Sequence, residues 1–392
     1  MGNITSGKLQ AGSLSRVISL AIEKELPMAL WRLPNNRTST LIVSATATQL
    51  TKEDVLEELP PGFIFAPYRD DQLPVFIEGD IRFTVDGDRI TGPVASLEAI
   101  SGERDSVHPR PSETNPLSED TRTDAPADEK KAYVDLVKKS IEAIAGGQFE
   151  KVVPSRVKTL KLPKHFDSLA TYQKLCADHR EALISLVHIP GAGTWMGASP
   201  EVLVSVEDGR TFRTVALAGT QPYHHGTSIK SVAWTQKEIE EQALVERYII
   251  SCFKRIRLRE YDEHGPKTVI AGNLMHLRSD FTVDMLATGF PQLGSVMLNL
   301  LHPTSAVCGM PLEPAREFLK EHEGYDRKFY TGYLGPVNVD GNTDIYVNLR
   351  CMQLTESEVL MYAGAGVTAD SIPEKEWEET EMKFNTLSTS LT

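Results

Sequence analysis

Two segments of the chain repeat one spacing of acidic residues. In TQKEIEEQALVERYIISCFKRI (235–256), winding at about 100° per residue puts Glu238, Glu241, Val245, Tyr248, Ile249 and Cys252 on one arc, and Glu240, Arg247, Ser251 and Lys254 opposite. In EKEWEETEMKFNTLSTSL (374–391), Glu376, Glu379, Lys383 and Leu387 share one face, and Glu378, Glu381, Asn385 and Ser388 the other. Each helix therefore carries an E-x-x-E pair on its apolar side. Burying carboxylates without counter-charge costs several kcal/mol per group. A hard divalent ion with oxygen ligands, Mg2+ keeping some of its waters, answers that need. Acids near helix N-termini also suit the macrodipole while staying solvated, and spacing along the chain does not say whether the two helices meet.

Other residues could take part in chemistry, each with a plainer alternative. Lys151 in QFEKVVPSR sits at the mouth of a β-branched run, where a lysine ordinarily snorkels to water. Glu201 in WMGASPEVLVSV opens an alternating strand, a place where glutamate is usually solvated. His276 in AGNLMHLRSDF lies among apolar residues and reads as a core histidine, and YHHGT (223–227) as a solvated loop. MYAGAGVTADS ends a strand with Gly364 and Gly366, which lets an anion approach backbone N–H groups closely or simply makes a tight turn. No dinucleotide fingerprint, phosphate-binding P-loop or G-x-S-x-G elbow occurs.

Composition narrows the partners. A net charge of -13 with no long basic run argues against nucleic acid and leaves a small-molecule substrate. The four cysteines (Cys176, Cys252, Cys308, Cys351) are far apart and form no CxxC pair, which suits a reducing cytoplasm. No apolar run approaches the roughly 18 residues that span a bilayer, and the N-terminus lacks a secretion signal, so no membrane association is expected.

These candidates must be positioned by a mixed α/β, or α+β, chain. Asp-Gly pairs at 86–87, 208–209 and 340–341 mark hairpins between strand-rich segments, so antiparallel pairing is expected. Helices are expected near 15–26 and at 129–145, 234–258, 312–322 and 374–389. Residues 101–130 are polar, proline-bearing and poor in large apolar side chains, and read as a linker or mobile loop between a mixed segment at 1–100 and a denser α/β region at 131–392.

Taken in order, FEKVVPSR, MGASPEVLV, ALAGT, HLRSDF, LHPTSAVCGMP, FYTGYLGPV, YAGAGV and EWEETEMKFNTL resemble the chorismate-utilising enzymes: isochorismate synthases, salicylate synthases, and the synthase components of anthranilate and aminodeoxychorismate synthases. The resemblance covers about residues 130–390; the first 125 residues resemble nothing so sharply, and are expected to form a less typical part of the same fold. It implies one large fold of layered, mainly antiparallel sheets surrounded by helices, with chorismate and Mg2+ in a central cleft. It implies Glu241 and Glu379 as metal ligands with Glu238 and Glu376 nearby. For the substrate's carboxylates it implies Arg350, Tyr330, Lys383 and the N–H groups of Gly364 and Gly366; Gly219, Thr220, His276, Ala306 and Val307 would line the ring.

In the isochorismate synthases of the family the lysine of the KVV motif is the base and the glutamate of SPE the acid, which implies Lys151 as the base activating water for attack at C2 and Glu201 as the acid for the departing C4 hydroxyl. Lys151 must be partly neutral and Glu201 protonated, which desolvation favours for both. Ala218 stands where aminodeoxychorismate synthases carry a lysine, which disfavours ammonia-using chemistry and a glutaminase subunit. Salicylate synthases share both catalytic groups and add pyruvate elimination; a binding protein that kept the fold is the non-catalytic alternative. Menaquinone and catecholate siderophore synthesis both begin with isochorismate formation, and the family implies a monomer. The chain departs from the family at Gln242, in QPYHH after LAGT, and at Pro154, which is expected to bend the lysine strand or place it on an edge.

Overall fold

A computed structural model describes residues 13–391 except 88, 94–96, 98–125, 224–227, 230–231 and 272–273. Most of the expected linker and the two histidines of YHHGT therefore lie outside the described residues. The strands are β1 (Met28–Arg32), β2 (Ser39–Val43), β3 (Ala47–Gln49), β4 (Gly62–Ala66), β5 (Val75–Glu78), β6 (Ile81–Asp86), β7 (Arg89–Thr91), β8 (Lys151–Val152), β9 (Ser155–Lys161), β10 (Leu183–Ile189), β11 (Gly193–Ser199), β12 (Val202–Glu207), β13 (Thr211–Pro222), β14 (Asp262–Ala271), β15 (Leu274–Asp284), β16 (Gly309–Met310), β17 (Tyr333–Val337), β18 (Thr343–Val347), β19 (Cys351–Leu354) and β20 (Glu358–Gly364). The helices are α1 (Ser13–Glu23), α2 (Pro126–Ala145), α3 (Ser168–Asp178), α4 (Gln236–Arg255), α5 (Leu293–Leu301), α6 (Leu312–His322) and α7 (Pro373–Ser388).

Two nine-stranded sheets, ordered β7-β6-β2-β1-β10-β11-β19-β20-β9 and β14-β15-β13-β12-β18-β17-β4-β5-β3, pack face to face. Alternation along the strands fixes what each face meets. Trp31 of β1, Phe63 and Phe65 of β4, Trp195 of β11 and Tyr346 of β18 fill the space between the sheets. Met28 and Leu30 of β1 turn outward to a core with α1, α3 and α7. Ile64 and Ala66 of β4 turn outward to a core with α4 and α5. Strands buried on both faces read as continuous apolar runs, which is why MALWR and GFIFA lack an alternating pattern.

Pairing is antiparallel throughout the described ladders, as the hairpins imply, and Asp208, Gly209, Asp340 and Gly341 all adopt the positive φ of type I′ turns. The N-terminal strands complete both sheets, β1 against β10 and β4 against β17. Helix α2 begins at Pro126, so the last residues of the expected linker are helical. Two helices were not anticipated. The apolar LGSVMLNLL of α5 is mostly buried and carries no charged residue, and α3 starts on Asp167, whose carboxylate accepts the N–H groups of Leu169 and Ala170 at 2.8 and 3.1 Å.

Candidate active site

Pro154 separates β8 from β9, and β9 is the edge strand of its sheet. The missing donor is offset by other partners. The Pro154 carbonyl accepts from the Ala365 N–H and the Tyr133 hydroxyl, both at 3.2 Å, while the N–H and hydroxyl of Ser155 donate to Glu323 Oε1 at 2.7 and 2.6 Å. Arg327, itself buried, pairs with Glu323 at 2.7 Å and donates to the carbonyls of Val153 and Val307 at 2.7 and 2.8 Å. On its other flank β8 pairs with β16, and Val152 bonds to Val367 in both directions. The lysine segment is thus tied on both sides.

Lys151 is fully buried, so the snorkelling alternative fails. Its Nζ lies 3.0 Å from Glu241 Oε1 of α4. Gly366 leaves room for this pair: a Cβ there would overlap Glu241 Oε1 and stand 3.1 Å from Lys151 Cε. The two acidic helices meet. Lys237 of α4 pairs with Glu376 of α7 at 2.8 Å, and Lys383 reaches Glu379 at 2.8 Å and the Gly364 carbonyl at 2.7 Å. Burial acts to raise Glu241, but Lys151 and Lys237 outweigh it and hold its carboxyl below the usual range. Glu376 goes the other way, pushed up to about 7 by burial and then by the charge of Glu379 against the pull of Lys237. Glu238 takes a different place, accepting the N–H and hydroxyl of Thr235 at 2.6 Å as part of a capping box.

A cavity opens in front of these groups. It is lined by Glu201, Glu241, Glu379, Lys383, Gly219, Thr220, His276, Ala306, Val307, Tyr330, Arg350, Gly364 and Gly366, together with Val153, Pro200, Leu217, Ala218, Leu349, Tyr362 and Ala363. Lys151 stands one layer behind, beneath Gly366 and Glu241, and neither Glu238 nor Glu376 reaches the wall. Glu201 is buried, contrary to the usual strand-edge expectation, and its nearest hydrogen-bonding group is the Thr304 hydroxyl at 3.5 Å. Burial pushes its carboxyl up to about 8, against the pull of Lys151, Thr304 and Lys383.

Opposite, Arg350 occupies a positive φ of 47° that few non-glycine residues adopt. Its guanidinium donates to the Ala271 carbonyl at 3.1 Å and to His276 Nε2 at 2.6 Å, while His276 Nδ1 donates to the Gly219 carbonyl at 2.8 Å. Burial and the Arg350 charge hold His276 well below its ordinary value, so the imidazole is neutral and orients the arginine. Burial also lowers Arg350, to about 10, which leaves it cationic at neutral pH. The remaining guanidinium donors, the Lys383 ammonium and the glycine backbone make one wall suited to carboxylates.

On the acidic side a divalent cation would meet Glu241 and Glu379 on the cavity wall, each beside a lysine, and behind them Glu376 Oε2, which is buried without a hydrogen-bond partner among the described residues. Among those residues no three ligating side chains converge as a ready cage. Mg2+ does not need one, since it commonly uses one or two carboxylates and fills its shell with water and substrate oxygens.

Sequence reasoning missed Lys237, Glu323, Arg327 and Thr304. The first had a signal, for Lys237 stands four residues before Glu241 and shares its helix face. The others sit in or beside irregular segments, where periodicity carries no information.

Comparison with known proteins shows the family of the chain. Residues 89–392 match the family model described as chorismate binding enzyme. The isochorismate synthase EntC of Escherichia coli is 28% identical over 264 residues, 66% of either chain, and DhbC of Bacillus subtilis is 29% identical over 274 residues, 67% of this chain and 68% of that one. These alignments thus span about two thirds of the relatives' length. The solved structure of MenF, the menaquinone-specific isochorismate synthase of E. coli, superposes with a TM-score of 0.72 at 22% identity, covering 96% of this chain and 91% of the other. At that identity the likeness establishes the fold.

Proposed function

This chain belongs to the chorismate-binding enzymes, and on that premise we propose that it is an isochorismate synthase, converting chorismate to isochorismate with Mg2+. The observation that carries the proposal is a buried acid on the cavity wall with a buried lysine directly behind that wall. Glu201 lines it with its carboxyl held up to about 8 by burial, and Lys151 is buried immediately behind its acidic wall. Water is a poor nucleophile and hydroxide a poor leaving group, so this isomerisation needs both. In its neutral form Lys151 accepts the proton of the attacking water as the C2–O bond forms. The two ring double bonds each move one place, and Glu201 gives its proton to the C4 oxygen as the C4–O bond breaks.

Arg350, Tyr330, Lys383 and the N–H groups of Gly364 and Gly366 hold the substrate's carboxylates, and Gly219, Thr220, His276, Ala306 and Val307 frame the ring. Glu241 and Glu379 hold the metal, with Glu376 beside them and Glu238 engaged at the start of α4. Bound Mg2+ supplies positive charge against the ring carboxylate. Residues 89–392 carry this chemistry, and the N-terminal strands serve as scaffold by completing both sheets.

Incubating purified protein with chorismate and Mg2+ and separating the products by chromatography tests this. Isochorismate alone is expected. Salicylate with pyruvate would assign a salicylate synthase, and chorismate left intact would overturn the proposal.

A further inference from the structure

On the outer face of the second sheet lies another cavity, of about 350 Å3, which shares no lining residue with the catalytic cleft. That volume is in the range of small-molecule pockets. Its inner wall is apolar, made by the buried side chains of Leu56, Ile64 and Leu298 and by the ring of Tyr333. At its mouth Leu73 is 39% exposed, a large apolar side chain left facing solvent.

Two polar groups in one corner lack partners. His302 Nε2 is buried with no hydrogen bond, and among the described residues the Tyr333 hydroxyl makes none either. The two rings meet edge to face, with centroids 4.9 Å apart and planes at 81°. His302 meets the backbone carbonyls of Pro67 and Tyr68, and since Nε2 is unbonded that contact falls to the other nitrogen, which leaves Nε2 as an acceptor. A buried nitrogen left unsatisfied costs about 1–3 kcal/mol and is ordinarily met by water or ligand.

Of the charged groups of the rim, Lys52 is exposed and pairs with no acid among the described residues, while the others are already engaged. Asp54 accepts from the Thr51 N–H at 2.6 Å, Arg69 donates to Asp71 at 2.9 Å, and Asp70 pairs with Arg316. The corner that is left is uncharged, with one acceptor and one hydroxyl beside a flat apolar wall. We propose that this cavity is a second small-molecule site, for an uncharged aromatic molecule whose hydroxyl donates to His302 Nε2 and accepts from the Tyr333 hydroxyl.

Calorimetric titration of the full chain with phenol, and with toluene as the same shape lacking the hydroxyl, tests the site without reference to catalysis. One saturable phenol site is expected. His302→Phe should weaken phenol about tenfold, the equivalent of one hydrogen bond, and leave toluene unchanged. Leu73→Trp, a substitution at an exposed residue of the mouth that does not endanger folding, should weaken both. No saturable phenol binding to the wild type, or binding unaltered by Leu73→Trp, would overturn the proposal.

Discussion

Replacing Glu201 by Gln should remove a specific pH dependence of stability. Burial raises the folded-state carboxyl from an ordinary 4.5 to about 8. Below pH 4.5 the group is protonated whether the chain is folded or not, and stability is unaffected. Between 4.5 and about 8 the unfolded chain releases a proton that the folded chain keeps, so stability falls as pH rises. At about 1.4 kcal/mol per pH unit, the loss across that window comes to about 5 kcal/mol. Above about 8 both states are ionised and the loss stops growing. Glutamine keeps the shape of the neutral acid and cannot ionise. The difference in unfolding free energy, wild type minus Glu201→Gln, should therefore drop by several kcal/mol from pH 5 to pH 8 and then level. Urea unfolding of both proteins at half-unit pH steps measures it. A difference that stays flat, or that rises with pH, would refute the claim that this carboxyl is held protonated by burial. The same value predicts that kcat/KM at pH 9 is about a tenth of its plateau, because the general acid is then about one-tenth protonated.

Gly366→Ala should cost at least about 100-fold in kcat and lower the thermal stability, the protein remaining folded at the assay temperature. The new methyl group displaces the Glu241 carboxylate and crowds Lys151, and misplacements of about 1 Å have effects of that size; steady-state kinetics beside calorimetry checks this. Arg327→Met should destabilise the fold by about 3–5 kcal/mol in urea unfolding, since it strands the buried Glu323 carboxylate, and adding Glu323→Gln should recover part of the loss. Glu379→Ala should abolish Mg2+-dependent turnover with circular dichroism unchanged; turnover that survives a chelator would contradict the metal assignment.

How far the fold could be read from the sequence depended on where its pattern was local. The Asp-Gly hairpins and the amphipathic helices α4, α6 and α7 declared themselves through two-residue turns and 3.6-residue periodicity. Helix α5 did not, because it is buried on most sides and carries no polar stripe. The E-x-x-E faces were legible as faces, but that they oppose each other across Lys237 is a fact of packing that no spacing contains. Lys151 shows the same limit. Nine residues around it favour a solvated lysine; its burial against Glu241 follows from β8 being clasped by β16 and Val367, and from Glu323 and Arg327 securing the chain on either side of Pro154. The resemblance to the chorismate-utilising enzymes pointed to the residues that line the cleft without explaining what holds them in place.

The most direct test of the account is conversion of chorismate in 18O-water by the wild type and by Lys151→Ala, with Mg2+ present and the product analysed by mass spectrometry. Wild-type isochorismate should carry one solvent oxygen, in its C2 hydroxyl, and Lys151→Ala should form at most a trace. Isochorismate without solvent label, or a Lys151→Ala protein as active as the wild type, would contradict base-activated attack by water.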